Sequence, residues 1–130
     1  MDAVELRAKA QAARRFVETE GEWQLTLQTP TRREIMQLAH ERGINLDDDA
    51  LASSALTLLY YGLVDRYLVG WSGLRESDIV PAAGADPLAW SPETVPLWSD
   101  AHPAVAMRIG RMLYDRAIKR AAATEATAKN

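Results

Sequence analysis

Residues 58–77, LLYYGLVDRYLVGWSGLRES, contain the transition that decides the fold. The chain is almost continuously apolar from Leu51 to Val69, which is typical of a helix buried on nearly all sides. We expect this helix to span about residues 48–69 and to form the centre of the core. Gly70 is the expected helix stop because glycine readily adopts the left-handed conformation. Trp71 can then fold back onto the helix ahead of Gly73.

This apolar run is about as long as a membrane span. It contains two charged residues, Asp65 and Arg66, together with Ser53, Ser54, Thr57 and Gly62. Charged residues are costly at the centre of a bilayer, so we interpret the run as a core helix and expect no membrane association.

The composition is that of an ordinary globular domain. The chain has 130 residues, of which 48% are hydrophobic and 25% charged. We predict a single domain over 1–130, with 1–12 and 121–130 as frayed or flexible ends. The chain has no cysteine, which excludes disulfides and thiol chemistry, and its net charge of −3 gives no reason to expect nucleic-acid binding.

A β-hairpin is expected near the N-terminus. Trp23, Leu25 and Leu27 alternate with polar residues after Gly21, and this period of two predicts strands at about 14–19 and 22–28. A two-stranded hairpin is marginal alone, so its apolar face must pack on helices or on another subunit.

Helix boundary signals organise the remaining chain. Thr31, followed three residues later by Glu34, forms a capping box, and Gly43 suits the position just after the helix. Five of the six prolines lie within residues 81–103, so 70–103 is predicted to be an irregular Pro- and Trp-rich connection. Two further helix starts are expected. Ser91 is the cap of the first, with Pro92 at its first helical position, and Pro103 lies near the first position of the last helix. The predicted fold class is mainly α (α+β), with about four helices around the long central helix and a small N-terminal hairpin.

Catalytic and metal-binding motifs are not evident. The segment GWSG at 70–73 lacks the spacing of a nucleophile elbow, and His40 and His102 have no ligand partner at helical spacing. The acidic residues at 47–49 lack the glycine and glutamate positions of a calcium loop, so they suit a helix N-terminus. We therefore predict no enzyme activity, no catalytic residue, no metal and no cofactor.

Tryptophans and arginines are the remaining candidates for function. The tryptophans either pin irregular chain onto the core or form an exposed partner surface, and the basic face of the last helix is either solvated or binds a partner. The sequence leaves these alternatives open. The candidate residues for partner binding or self-association are Trp23, Trp71, Trp90, Trp98, Arg108 and Arg111.

Three segments in this order resemble the tail assembly chaperones of long-tailed bacteriophages and their prophage relatives. They are LRAKAQAARRFVETEGEWQLTLQTPTRREIM at 6–36, LVGWSGLRESD at 68–78 and LAWSPETVPLWSDAHPAV at 88–105. The resemblance covers about residues 5–120, and the order and spacing of the segments matter more than any one of them.

The resemblance implies a non-enzymatic protein of the infected cell's cytoplasm that is absent from the mature virion. Such a protein binds the tape measure protein, keeps its long hydrophobic helices soluble, and helps to recruit the major tail tube protein; it often self-associates. The alternatives are a small structural component of a phage particle or a small DNA-binding regulator.

Overall fold

The computed structural model describes residues 1–48 and 51–129, with the backbone alone at 121 and 123–129. This part of the chain is α+β, with five α-helices and a three-stranded antiparallel sheet. The elements are α1 Ala3–Ala13, β1 Arg15–Glu20, β2 Trp23–Gln28, α2 Arg32–Glu41, α3 Ser53–Tyr67, β3 Leu68–Ser72, α4 Thr94–Ala101 and α5 Pro103–Lys129. None of the helices in the described ranges is long and apolar enough to cross a bilayer.

The hairpin prediction is confirmed, and a third strand completes the sheet. β1 pairs with β2 from Arg15 opposite Gln28 to Glu20 opposite Trp23, and the turn uses a positive φ of 58° at Gly21. β3 pairs with the other edge of β2, with Leu25 opposite Trp71. The hairpin therefore obtains its neighbours from its own chain, since β3 pairs with its edge and Leu25 and Leu27 of its apolar face are buried in the core.

The third strand corrects the prediction for residues 48–69. α3 begins at Ser53 and ends at Tyr67, and residues 68–72 are a strand. Gly70 is not a left-handed helix stop, since it lies in β3 opposite Thr26. The backbone groups of 68–72 can pair with β2, and this long-range pairing overrides the local signal for helix.

Gly73 is the glycine that requires a left-handed backbone here. Its φ is +85°, and a Cβ at this position would lie 2.2 Å from the carbonyl oxygen of Glu22. The close approach holds the end of β3 against the start of β2.

The predicted boundaries of α2 and the predicted start of α5 are confirmed, whereas the predicted start of α4 is not. Thr31 and Glu34 form the capping box, Gly43 follows α2 with φ 66°, and Pro103 is the first residue of α5. The predicted start at Ser91 and Pro92 is wrong by a few residues, because α4 begins at Thr94. Residues 91–94 instead form a turn in which the Ser91 hydroxyl oxygen accepts a 3.2 Å hydrogen bond from the Thr94 amide.

The core lies between the sheet and helices α2, α3, α4 and α5. Trp98 of α4 is its largest fully buried side chain. α5 contributes one stripe at helical spacing, consisting of Ala106, Ile109, Leu113 and Ala117. By contrast, α1 buries none of its side chains. The prediction that 1–12 and 121–130 are frayed or flexible stays a prediction, although α1 and most of the C-terminal residues are helical.

The connection at 70–103 is more regular than expected. It contains the end of β3, a single 3₁₀ turn at Glu76–Asp78 and the whole of α4. Backbone hydrogen bonds also fold the intervening chain on itself, such as the 2.9 Å bond from the Leu88 amide to the Leu74 carbonyl.

Candidate functional site

Trp71 and Trp90 attach the Pro-rich connection to β3. The Trp71 indole Nε1 donates a 2.9 Å hydrogen bond to the Leu88 carbonyl, and Trp90 Nε1 donates a 3.0 Å bond to the Leu68 carbonyl. Both rings are half-buried against the core. This arrangement agrees with the alternative in which the tryptophans pin irregular chain. One indole of β3 satisfies a carbonyl of the connection, and one indole of the connection satisfies a carbonyl of β3.

Trp23 has a similar attachment at the hairpin. Its Nε1 donates a 3.2 Å hydrogen bond to the Asp78 carboxylate, and its ring meets those of Trp98 and His102 edge-on at centroid distances of 6.1 and 4.7 Å. His102 in turn places Nε2 2.6 Å from the Asp78 carbonyl oxygen. This cluster connects β2, the 3₁₀ turn and the end of α4.

Trp98 belongs to the interior. Its side chain is fully buried, and its Nε1 has no hydrogen-bond partner within the described residues. A side chain without exposed surface cannot contact a client or a second copy in this conformation. The burial of Trp98 contradicts the hypothesis that this residue lines a partner surface. The other three tryptophans are partly buried, so each exposes only part of its ring to solvent.

Arg108 and Arg111 lie on the exposed face of α5 beside acidic residues. Arg108 forms an ion pair with Glu20 of the hairpin, and Arg111 approaches Asp115 of its own helix at 3.9 Å. Exposed pairs of this kind contribute little stability, and they reduce the positive charge that a partner would meet. Their role in partner binding stays a prediction.

A groove with a mixed apolar and polar lining, which we call the α2–α5 groove, lies between α2 and α5 next to the core. Its volume is about 400 Å³. Met36 of α2 and Ile118 of α5 stand at its opening, 53% and 43% exposed. Its apolar lining consists of Ile35, Met36, Ala39, Ile44, Leu46, Tyr114 and Ile118, and its polar lining consists of Arg32, His40, Asn45 and Asp47.

Sequence reasoning missed this groove, although a signal was available. Ile35, Leu38 and Ala39 are the buried stripe of α2, and Met36 falls beside that stripe. Ile118 likewise follows Ala117, the last residue of the α5 stripe. An apolar side chain just off a core stripe indicates a surface that extends the core outward, and two such helices side by side make a groove.

The hydrogen-bonded carboxylate of Glu34 joins the C-terminal end of α1 to α2 and α3. Glu34 accepts from the Arg14 guanidinium at 3.0 Å, the Thr31 amide at 2.9 Å and the Tyr67 hydroxyl at 3.0 Å. Burial alone would raise the pKa of Glu34, but the bonds from Thr31 and Tyr67 and the charge of Arg14 lower it overall. Burial and the neighbouring Glu34 raise the pKa of Tyr67, so its hydroxyl stays protonated and donates.

The described ranges contain no group of three or more His, Asp and Glu side chains that could hold a metal ion. An apolar groove with a polar rim is suited to hold another apolar surface, particularly one face of an amphipathic helix.

Comparison with protein-family models, with curated proteins and with solved structures gives no match for this chain.

Proposed function

We propose that this protein is a non-enzymatic tail assembly chaperone of a long-tailed bacteriophage or a prophage relative. In this proposal it acts in the cytoplasm of the bacterial host, binds the tape measure protein, keeps that protein soluble and helps to recruit tail tube subunits. The proposal rests on the resemblance of three ordered segments of the sequence and on one feature of the structure, the α2–α5 groove.

The groove supports the proposal through the chemistry of its surfaces. A tape measure protein with long hydrophobic helices would expose apolar stripes before assembly, and such stripes aggregate unless they are covered. Met36 and Ile118 offer exposed apolar contact, and methionine adapts to clients of varied shape. The client helix would place residues at i, i+3, i+4 and i+7 along the groove.

A small groove implies weak individual contacts. Several copies bound along one elongated client would raise the overall affinity without any single tight site, since linked binding events reinforce one another. A chaperone that must leave before the tail is complete benefits from contacts of this kind. Self-association of the chain on the client would add to the effect.

Co-expression with the cognate tape measure protein tests the proposal. We expect the tape measure protein to move from the insoluble to the soluble fraction and to co-purify with this chain. An insoluble tape measure protein in the presence of well-expressed chaperone would contradict the proposal. Purified virions give a second test, since a chaperone is absent from them, whereas a structural component of the particle would be retained in stoichiometric amounts.

A further inference from the structure

β1 is an edge strand of the sheet. The strand order is β1–β2–β3, so within the described part of the chain β1 has β2 as its one neighbouring strand. At the other side of the sheet, the indole bonds of Trp71 and Trp90 join β3 to the Pro-rich connection. An edge strand presents a row of backbone donors and acceptors with which another chain can pair.

The hydrogen-bond pattern of the hairpin identifies the backbone groups that face this edge. The Thr29 amide donates a 2.9 Å bond to the Arg14 carbonyl. Along an antiparallel pair, residues that bond to the neighbouring strand alternate with residues whose backbone groups point away from it. The register of the hairpin therefore directs the amides and carbonyls of Arg15, Val17 and Thr19 away from β2. No backbone bond from another described segment reaches these groups.

The side chains of the same three residues lie on the solvent face of the sheet. Val17 is 57% exposed, and Arg15 and Thr19 are exposed on either side of it. β1 contains no proline, no lysine and no bulge, three features that commonly protect an edge strand from pairing. A second strand along this edge would cover Val17 and satisfy the outward backbone groups.

The core-facing side of β1 carries a carboxylate and a cation that do not meet within one chain. Glu18 is half-buried and has no hydrogen bond or ion pair within the described residues. The Arg116 guanidinium lies 3.8 Å from the centre of the neighbouring Phe16 ring, and its 3.5 Å bond to Thr29 uses Nε alone. Side chains on one face of a strand are about 6.7 Å apart, whereas residues directly opposite on paired strands have Cβ atoms about 5 Å apart. A Glu18 placed opposite Phe16 would therefore approach this guanidinium more closely.

We propose that β1 pairs antiparallel with β1 of a second copy of this chain, giving a two-fold dimer with a continuous six-stranded sheet. Val17 lies opposite Val17 of the second copy at the two-fold axis. Arg15 then lies opposite Thr19 on the solvent face, and Phe16 lies opposite Glu18 on the core-facing side. The three pairs of outward residues exchange two backbone hydrogen bonds each.

The residues of β1 favour this register over its neighbours. A shift in one direction would place Glu18 opposite Glu18 of the second copy, and like charges directly opposite destabilise paired strands. A shift in the other direction would place Thr19 opposite Ala13, which belongs to α1 and not to the strand. A slip by one residue would bring the solvent face of one copy against the core-facing side of the other.

The dimer is independent of the proposed function. None of the residues of β1 lines the α2–α5 groove, so both surfaces can be occupied at once. The experiments use the purified full-length chain without a tape measure protein. Their failure would leave the chaperone proposal standing, and failure of the chaperone proposal would leave the dimer standing.

Sedimentation equilibrium over a range of protein concentrations tests the association. Because paired six-residue strands bury little area, we expect a weak dimer with a dissociation constant of about 10–100 µM. Val17→Lys should weaken it by about tenfold or more, since it places two like charges at the two-fold axis. Val80→Lys is the matched control, the same change at a 53% exposed valine outside the sheet. It should keep the wild-type dissociation constant within about twofold.

Single-cysteine variants test the register, because the natural chain has no cysteine. In Val17→Cys the two thiols face each other across the axis, and their Cα atoms are about 5.5 Å apart, within the range of a disulfide. Thr19→Cys is the control on the same face of the same strand, with Cα atoms about 14 Å apart in the dimer. We expect Val17→Cys to form the disulfide-linked dimer at least about tenfold faster than Thr19→Cys on mild oxidation.

Each experiment has a result that would overturn the proposal. A wild-type chain that stays monomeric up to about 1 mM would exclude a second copy as the occupant of this edge and leave it to an extended segment of another protein. A dimer that Val17→Lys leaves intact would place the contact elsewhere on the surface. Equal cross-linking at positions 17 and 19 would exclude the register. Circular dichroism checks that all variants are folded.

Discussion

The carbonyl oxygen of Tyr60 in α3 lies where a side chain at Gly110 in α5 would have to be placed. A Cβ added to Gly110 would be 2.5 Å from that oxygen and 2.7 Å from the Tyr60 Cβ. The two main core helices therefore approach closely at this point, and backbone packs on backbone. The contact also fixes the position of α5, which forms one wall of the α2–α5 groove.

Gly110→Ala should destabilise the protein by about 1–3 kcal/mol, because the added methyl group forces the helices apart. Chemical denaturation measures the change. Gly62→Ala is the control, since its Cβ would meet the Leu38 Cδ2 at 3.2 Å and the mobile end of Arg42. The control should be close to wild type or slightly more stable, as alanine is favoured in helices by about 1 kcal/mol. Equal stability of Gly110→Ala and wild type would contradict the close approach.

Trp98→Ala should cost about 3–5 kcal/mol, as expected for a fully buried aromatic residue whose removal leaves a cavity. The neighbouring Leu97 is 54% exposed, so Leu97→Ala should change the free energy of unfolding by less than about 1 kcal/mol. Thermal and urea unfolding compare the two variants. A Trp98→Ala protein as stable as Leu97→Ala would place Trp98 outside the core.

Trp71→Phe should loosen the Pro-rich connection without unfolding the protein. The ring is retained, but the Leu88 carbonyl loses its donor, at a cost of about 1 kcal/mol. Hydrogen exchange should speed up at the amides of residues 74–90. Trp90→Phe, which removes the donor to the Leu68 carbonyl, should act in the same way. Unchanged exchange in both variants would show that the indole bonds do not hold this segment.

Protonation of Glu34 should make the protein less stable in acid. The pKa of Glu34 is lowered from 4.5 in the folded protein, so its contribution is complete above the unfolded value and is lost as the pH falls through the folded one. Glu34→Gln should therefore flatten the dependence of the unfolding free energy on pH as the pH falls below 4.5. Glu41→Gln, which changes an exposed ion pair with Arg66, is the control.

The pKa of Asp65 shifts in the opposite direction to that of Glu34, so the effects of the two residues on the pH dependence of stability must be separated. Burial raises the pKa of Asp65, with the nearby Asp100 adding to the rise and Arg42 opposing it. Its contribution to stability is present at low pH and lost as the pH rises through the folded value. The difference between the wild-type and Glu34→Gln curves isolates Glu34, since Asp65 is common to both. Identical curves would show that the hydrogen bonds to Glu34 do not favour its charged form.

Local signals in the sequence predicted the elements whose backbone conformation is determined by residues close to one another in the chain. The alternation at Trp23, Leu25 and Leu27 specified the hairpin, and the Thr31–Glu34 capping box specified the start of α2. Pro103 similarly marked the start of α5. In each case, residues within a few positions of one another determine the backbone conformation.

Elements that depend on long-range contacts were not predicted. Leu68–Ser72 reads as the end of an apolar helix, and only its pairing with β2 makes it a strand. The burial of Trp98, like the groove between Met36 and Ile118, follows from which helices become neighbours. Sequence periodicity describes one helix at a time, so it cannot show how two helices form a common surface.

Co-expression of the cognate tape measure protein with matched surface variants tests the central claim most directly. Met36→Asp and Ile118→Asp place charge in the α2–α5 groove, whereas Leu97→Asp makes the same kind of change at an exposed apolar position of α4, outside the lining of the groove. The soluble fraction of the tape measure protein is measured for each. We predict that wild type and Leu97→Asp keep it soluble and that both groove variants lose most of this effect while remaining folded. Equal rescue by all the proteins would contradict the role of the groove, and no rescue by wild type would contradict the chaperone function itself.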